Sequence, residues 1–189
     1  MSSVSHALLA LWFTIALDQT AGEQTVRMEA WSRALGVSCS HCHVEGDFTS
    51  VEKPTFEFAQ RMSKMVDGLS AGRLKSFDGI TCWTCHRGAT RPARLPRESW
   101  EAIATREQAV FTGAHEQQSL AMSVYSASLG VDCSHCHERG DWASASKAPH
   151  GTVRTMAGLF DELPTYFTKE RMPLFQCFMC HQGAPKPQR

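Results

Sequence analysis

The sequence predicts a mostly α-helical fold with little β structure, assembled from two pseudo-symmetric repeats. Three observations predict it: apolar residues recur at helical spacing, the chain matches itself at a fixed offset, and all eight cysteines stand in short clusters of one pattern. A chain of 189 residues suffices for one compact domain or two small ones. Its 19 basic and 19 acidic side chains cancel, which leaves no net field to hold a nucleic-acid backbone, so nucleic acid is not an expected partner.

Residues 1–22 form the first element, an N-terminal apolar helix or signal-like segment. Ala7 to Leu17 is apolar, as the centre of an export signal is, yet no Lys or Arg precedes it and it is too short to span a bilayer. Residues 23–90 form the first repeat. There Met28, Trp31 and Leu35 fall at i, i+3 and i+7 before Gly36 stops the helix. Behind Pro54, a residue tolerated at helix starts, Phe58, Met62, Met65, Val66 and Leu69 make a second stripe.

A linker occupies 91–97, within a stretch from Arg87 to Arg97 whose two prolines and four arginines make a stiff, basic connector. A new helical pattern starts near Glu98 and opens the second repeat, residues 98–189. Met122, Tyr125 and Leu129 repeat the first stripe and Gly130 ends it; behind Pro149, Met156, Leu159, Phe160 and Leu163 repeat the second.

The duplication is explicit in the residues. Leu-Gly-Val-Ser-Cys-Ser-His-Cys-His from Leu35 matches Leu-Gly-Val-Asp-Cys-Ser-His-Cys-His from Leu129, 94 positions on. Gly46-Asp47-Phe48 answers Gly140-Asp141-Trp142, and His86-Arg87-Gly88-Ala89 answers His181-Gln182-Gly183-Ala184.

The cysteines form four Cys-x-x-Cys-His motifs: Cys39, Cys42 and His43; Cys82, Cys85 and His86; Cys133, Cys136 and His137; Cys177, Cys180 and His181. Two thiols at i and i+3 on a helical turn reach the vinyl groups of one porphyrin, and the next histidine returns beneath the ring to the iron. Zinc ribbons, disulfides and redox-active dithiols also use Cys-x-x-Cys, but none of them requires the following histidine. Four such motifs that exhaust the cysteines predict four covalently bound haem c groups with iron, hence a multihaem cytochrome c of two dihaem repeats. Haem packing is expected in place of a conventional core.

A haem that only passes electrons needs a second axial ligand. Met28 and Met122 each lie 11 residues before a motif, and Met62 and Met156 stand on the second stripes. A methionine in an apolar stripe is more often packing than ligand. These four, however, are matched across the halves, one for each haem, whereas Met65, Met172 and Met179 have no equivalent. The four are therefore expected as sixth ligands. His41 and His135 sit inside the attachment loops, while His6, His115 and His150 lack a histidine counterpart and stay open as replacements for a methionine.

Cys39-Ser-His-Cys-His-Val-Glu-Gly-Asp-Phe48, Gln60-Arg-Met-Ser-Lys-Met65 and Cys82-Trp-Thr-Cys-His-Arg-Gly88 together resemble the tetrahaem cytochrome subunit of bacterial photosynthetic reaction centres. The resemblance runs from about Glu23 over nearly the whole chain and is stronger in its first half. It implies haems in a row, most with methionine opposite the motif histidine, in agreement with Met28, Met62 and Met122. The family's remaining haem takes a histidine shortly before the second motif, where this chain has Leu74, which leaves Met156 as the replacement. The chain is shorter than those subunits and has no cysteine near the N-terminus for the lipid anchor that many carry.

The expected function is electron transfer along closely spaced haems, without enzymatic turnover, because a matched methionine for every haem leaves no open coordination position. Thioether attachment implies export, to the periplasm or the cell surface. The expected partners are redox proteins or a membrane electron-transfer complex. The alternative is a subunit of an extracellular conducting filament, in which terminal haems of one copy meet those of the next in a contact that does not close.

Overall fold

The computed structural model describes residues 21–99, 101–102, 116–168 and 175–188. The N-terminal element expected over 1–22 lies almost entirely outside them, as do His6, His115 and Met172. Among the described residues the fold is helical, and β structure is limited to two isolated bridges, Val44 to Asp47 and Glu138 to Asp141.

Helix α1 covers residues 21–35 and closes at Gly36 with φ at 66°, a left-handed turn that glycine takes without steric cost. Helix α2, Pro54–Ala71, starts behind Lys53 with its proline in the first turn, where a missing N–H is harmless. Helix α3, Cys82–His86, opens on a capping box in which Thr81 and Thr84 satisfy each other's backbone N–H groups. The connector stays irregular through its prolines, and helix resumes at residue 97. Helix α4, Glu116–Leu129, ends at Gly130 with φ at 64°.

Helix α5, Ala148–Ala157, again has proline in its first turn. The apolar stripe from Met156 to Leu163 is expected on one helix, but the chain divides it. The Gly158 N–H closes α5 on the Arg154 carbonyl, α6 covers only Leu159–Glu162, and Pro164 shapes a 3-10 turn, Leu163–Tyr166. Helix α7, Cys177–His181, completes the order.

The core lies where α2 meets the turn after α6. Leu69, 2% exposed, packs with Met65, Leu74, Leu163 and Phe167, and Met62, Met156 and Phe175 border the cluster. Leu69 and Leu163 are equivalent positions of the two halves, so the apolar stripes of the two second helices face a common centre. Arg73 adds an ion pair to Glu162 at 3.2 Å, and Arg27 ties α1 to α2 through Asp67 at 2.6 Å. Both pairs are substantially exposed, so each contributes little beside the buried leucines.

One contact recurs at equivalent places. The Gly88 N–H donates to the Ala34 carbonyl at 2.8 Å, and the Gly183 N–H donates to the Ser128 carbonyl at 2.9 Å. Ala34 and Ser128 are 3% and 0% exposed. Small side chains near the ends of α1 and α4 thus let the loops after α3 and α7 approach backbone to backbone. A Cβ on Gly36 or Gly130 would run into the carbonyl of Gly88 or Gly183.

Candidate haem-attachment sites

The four motifs take two local forms. The second and fourth lie on the short α-helices α3 and α7, as the spacing predicts. The first and third instead form 3-10 turns, Cys39–His41 and Cys133–His135, whose tighter winding leaves the second cysteine and the histidine just past the turn. In the third, Asp132 caps the turn by accepting from the His135 N–H. In both, a lysine 13 residues after the middle serine anchors the loop: Lys53 donates to the Ser40 carbonyl and Lys147 to the Ser134 carbonyl.

Each histidine is held through its ring. His86 Nδ1 meets the Ala89 carbonyl at 2.9 Å, and His181 Nδ1 meets the Ala184 carbonyl at 3.0 Å. A carbonyl accepts only from a protonated nitrogen, so Nδ1 carries the proton and Nε2 keeps its lone pair, the arrangement of a metal-binding imidazole with an orienting outer partner. Burial holds both imidazoles below the ordinary histidine pKa, which keeps them neutral and able to ligate.

His43 and His137 are held by rings instead. His43 lies between Phe48 and Phe56, with centroids at 5.6 and 5.4 Å, and His137 lies near Trp142 and His150, at 6.4 and 5.4 Å. Nδ1 of each is buried without a hydrogen-bond partner. His150 stands at the position equivalent to Phe56 and packs edge-on against its motif histidine in the same way, so it occupies the place of a packing aromatic.

Cys39, Cys42, Cys82, Cys136 and Cys177 are free thiols, and burial raises the pKa of Cys42, Cys82, Cys136 and Cys177. Cys85 and Cys180, expected to bind porphyrin, are joined to each other by a disulfide with Cα atoms 4.1 Å apart. A sulfur in that bond cannot hold a vinyl thioether, so the two linkages exclude one another. The pairing brings the second and fourth attachment helices into direct contact.

Among the matched methionines, Met28, Met62, Met122 and Met156 are all half-buried, whereas Met65 and Met179 are buried at 8% exposure each. Met28 borders a cleft with Trp31, Gln60 and Lys64. Among the described residues no group of three or more His, Cys, Asp or Glu gathers to hold a metal ion. The first and third motifs, whose cysteine pairs stand outside the disulfide, fit a haem, whose iron asks the protein only for axial donors and whose porphyrin asks for a cysteine pair; the second and fourth fit one only with the Cys85–Cys180 bond open.

Residues 22–132 match the family model described as the photosynthetic reaction centre cytochrome C subunit. The chain belongs to this family. As a c-type cytochrome of that kind it implies covalently bound haem c, and the match takes in the first two motifs, ending one residue before Cys133. The chain is also 24% identical to the photosynthetic reaction center cytochrome c subunit of Rubrivivax gelatinosus, over 79% of this chain and 58% of that protein. The chain thus spans little more than half the length of the curated relative it matches.

Sequence reasoning did not find the orienting carbonyls of Ala89 and Ala184. Their signal was present, in the His-x-Gly-Ala tetrapeptide that follows both the second and the fourth motif.

Proposed function

We propose that this cytochrome is an exported tetrahaem electron carrier that passes electrons between redox partner proteins at the periplasmic or outer cell surface. The observation that carries the proposal is the recurrence of one imidazole arrangement, Nδ1 on the carbonyl three residues later, in both the family-matched second motif and the fourth. A fourth motif built like the second supports a fourth site of the same chemistry.

In this reading Cys39 with Cys42, Cys82 with Cys85, Cys133 with Cys136 and Cys177 with Cys180 each fix one porphyrin. His43, His86, His137 and His181 supply one axial nitrogen each, and Met28, Met62, Met122 and Met156 supply the opposing sulfur. A haem iron so ligated exchanges single electrons without opening a position for substrate. The Ala89 and Ala184 carbonyls fix the imidazole planes and raise their donor strength. The contact of α3 with α7 supports two sites lying side by side. The small apolar cluster around Leu69 supports prosthetic groups as part of the core.

Intact-mass measurement of the protein from a strain with a cytochrome c maturation system tests the proposal. Four added haem masses are expected, falling to three when Cys177 and Cys180 are both replaced by Ser. Two haems in the parent protein would refute the tetrahaem reading and leave only the motifs inside the family match.

A further inference from the structure

A lysine stands at the same place in both halves, where the helix behind it gives no reason for one. Lys53 and Lys147 are the N-cap residues of α2 and α5, with extended backbones at φ −75° and −79°, and neither side chain caps its own helix. Ser, Thr, Asp or Asn is the ordinary choice there, and the positive end of a helix dipole disfavours a cation. Both half-buried side chains reach back instead to an attachment turn.

Lys53 Nζ donates to the Ser40 carbonyl and Lys147 Nζ to the Ser134 carbonyl, each the first residue between the cysteines of its motif. A 3-10 turn of three residues leaves its last carbonyls without partners of its own, and a basic side chain suits such an end. Within the turns, the Cys39 carbonyl accepts from the Cys42 and His43 N–H groups at 3.2 and 3.0 Å. The Cys133 carbonyl accepts from those of Cys136 and His137 at 3.3 and 3.1 Å. These bonds draw the second thiol and the histidine round, and the lysine holds the outer side of the same turn. The second and fourth motifs, being α-helical, close on their own backbone, Arg87 N–H on the Trp83 carbonyl and Gln182 N–H on that of Phe178.

The other braces differ between the halves. Thr55 Oγ1 donates to the His41 carbonyl at 2.6 Å, whereas the equivalent Pro149 has no donor to offer. Asp132 accepts from Ser134 Oγ at 2.6 Å and from the His135 N–H at 3.2 Å, where the first half has Ser38. The lysine contact is common to both turns.

We infer that Lys53 and Lys147 are positioning residues for porphyrin attachment, each holding its motif wound before the thioethers form; this rests on the reading above that the first and third motifs take up haem. Attachment adds a thiol S–H across each vinyl double bond, sulfur to one carbon and hydrogen to the other, and consumes no oxidant. Two additions to one ring need both sulfurs in place together, so a turn already wound gives up less conformational freedom at that step.

The test counts haem at each motif of the full chain, matured in cells and then cleaved into fragments for mass measurement. The haemochrome band is read beside it, since it moves to longer wavelength when one vinyl stays unreacted. Lys53→Met, which keeps the stem and removes the donor, should lose doubly bonded haem at Cys39 and Cys42 and leave the third motif at the parent level. Adding Thr55→Val should deepen that loss. Lys147→Met should empty the third motif and spare the first. Lys53→Arg and Lys147→Arg, which keep a cationic donor, should load as the parent does. Full double attachment at the first motif in the Lys53→Met, Thr55→Val chain, or at the third in Lys147→Met, overturns the inference. So does an equal fall at all motifs, which marks a folding defect, or an Arg variant that loads no better than its Met counterpart. Absence of haem from these two motifs in the parent chain is a failure of the proposed function instead, and it is seen before any variant is made.

Discussion

In the proposed function, positions 62 and 156 each rest one iron ligand on a single side chain. Both methionines border the apolar cluster without being sealed in it, whereas Met65, one turn along, is buried. Met62→Ala should leave covalent haem content intact and produce a five-coordinate or water-bound iron, seen as loss of the methionine-to-iron absorption band and a shift toward high spin. Met65→Ala should keep that band and instead lower stability by about 2–5 kcal/mol, as cavity formation does. Asp47 offers a second residue-scale test. Hydrogen bonds from the Thr49 side chain first, then from backbone amides, hold its carboxyl below the ordinary range. A depressed carboxylate contributes stability above its unfolded pKa and loses it as pH falls through the folded value. Acidification through that range should therefore lower the protection of the Thr49 and Ser50 amides, measured as hydrogen exchange relative to the unstructured rate at each pH, while the α2 amides stay protected.

Helix ends were the most legible elements in the sequence, because glycine and proline mark them by geometry. Gly36, Gly130, Pro54 and Pro149 all stand where their steric properties require. Gly36→Ala meets two obstacles, a left-handed backbone and the Gly88 carbonyl, while Gly46→Ala meets the first alone in open space. Thermal unfolding should show Gly36→Ala costing more than Gly46→Ala, whose own cost is about 1–2 kcal/mol. The helix from Met156 to Leu163 was less legible. Periodicity records which face is apolar and is blind to a break that preserves that face, as Gly158 and Pro164 do here. The attachment turns at Cys39 and Cys133 escaped for a related reason: a three-residue spacing is common to 3-10 and α winding. At the candidate sites the cysteines and histidines were plain in the sequence. The partners of the histidines were not, since a backbone carbonyl leaves no residue type to read.

Across the molecule, the halves meet through the apolar cluster of Leu69, Leu163 and Phe167, with the exposed Arg73–Glu162 ion pair, the hydrogen bonds of Arg87 to Gln182 and Cys180, and the Cys85–Cys180 disulfide beside it. Leu69→Ala should lower stability by about 2–5 kcal/mol in chemical denaturation and affect both halves in one transition, because its cluster belongs to both. Two separate transitions would show that the repeats unfold independently.

Cys85 and Cys180 lie within bonding reach of each other, and they belong to motifs 95 positions apart. On the proposed reading, in which the chain is exported and both motifs take up porphyrin, this proximity turns biogenesis into a race. Whichever arrives first, the lyase that delivers porphyrin or the oxidase that removes two hydrogens from a thiol pair, decides whether the polypeptide matures or is stapled shut. Secreted without a maturation pathway, the chain should migrate faster on a non-reducing gel than on a reducing one, and only prior reduction should return it to a form competent for cofactor insertion.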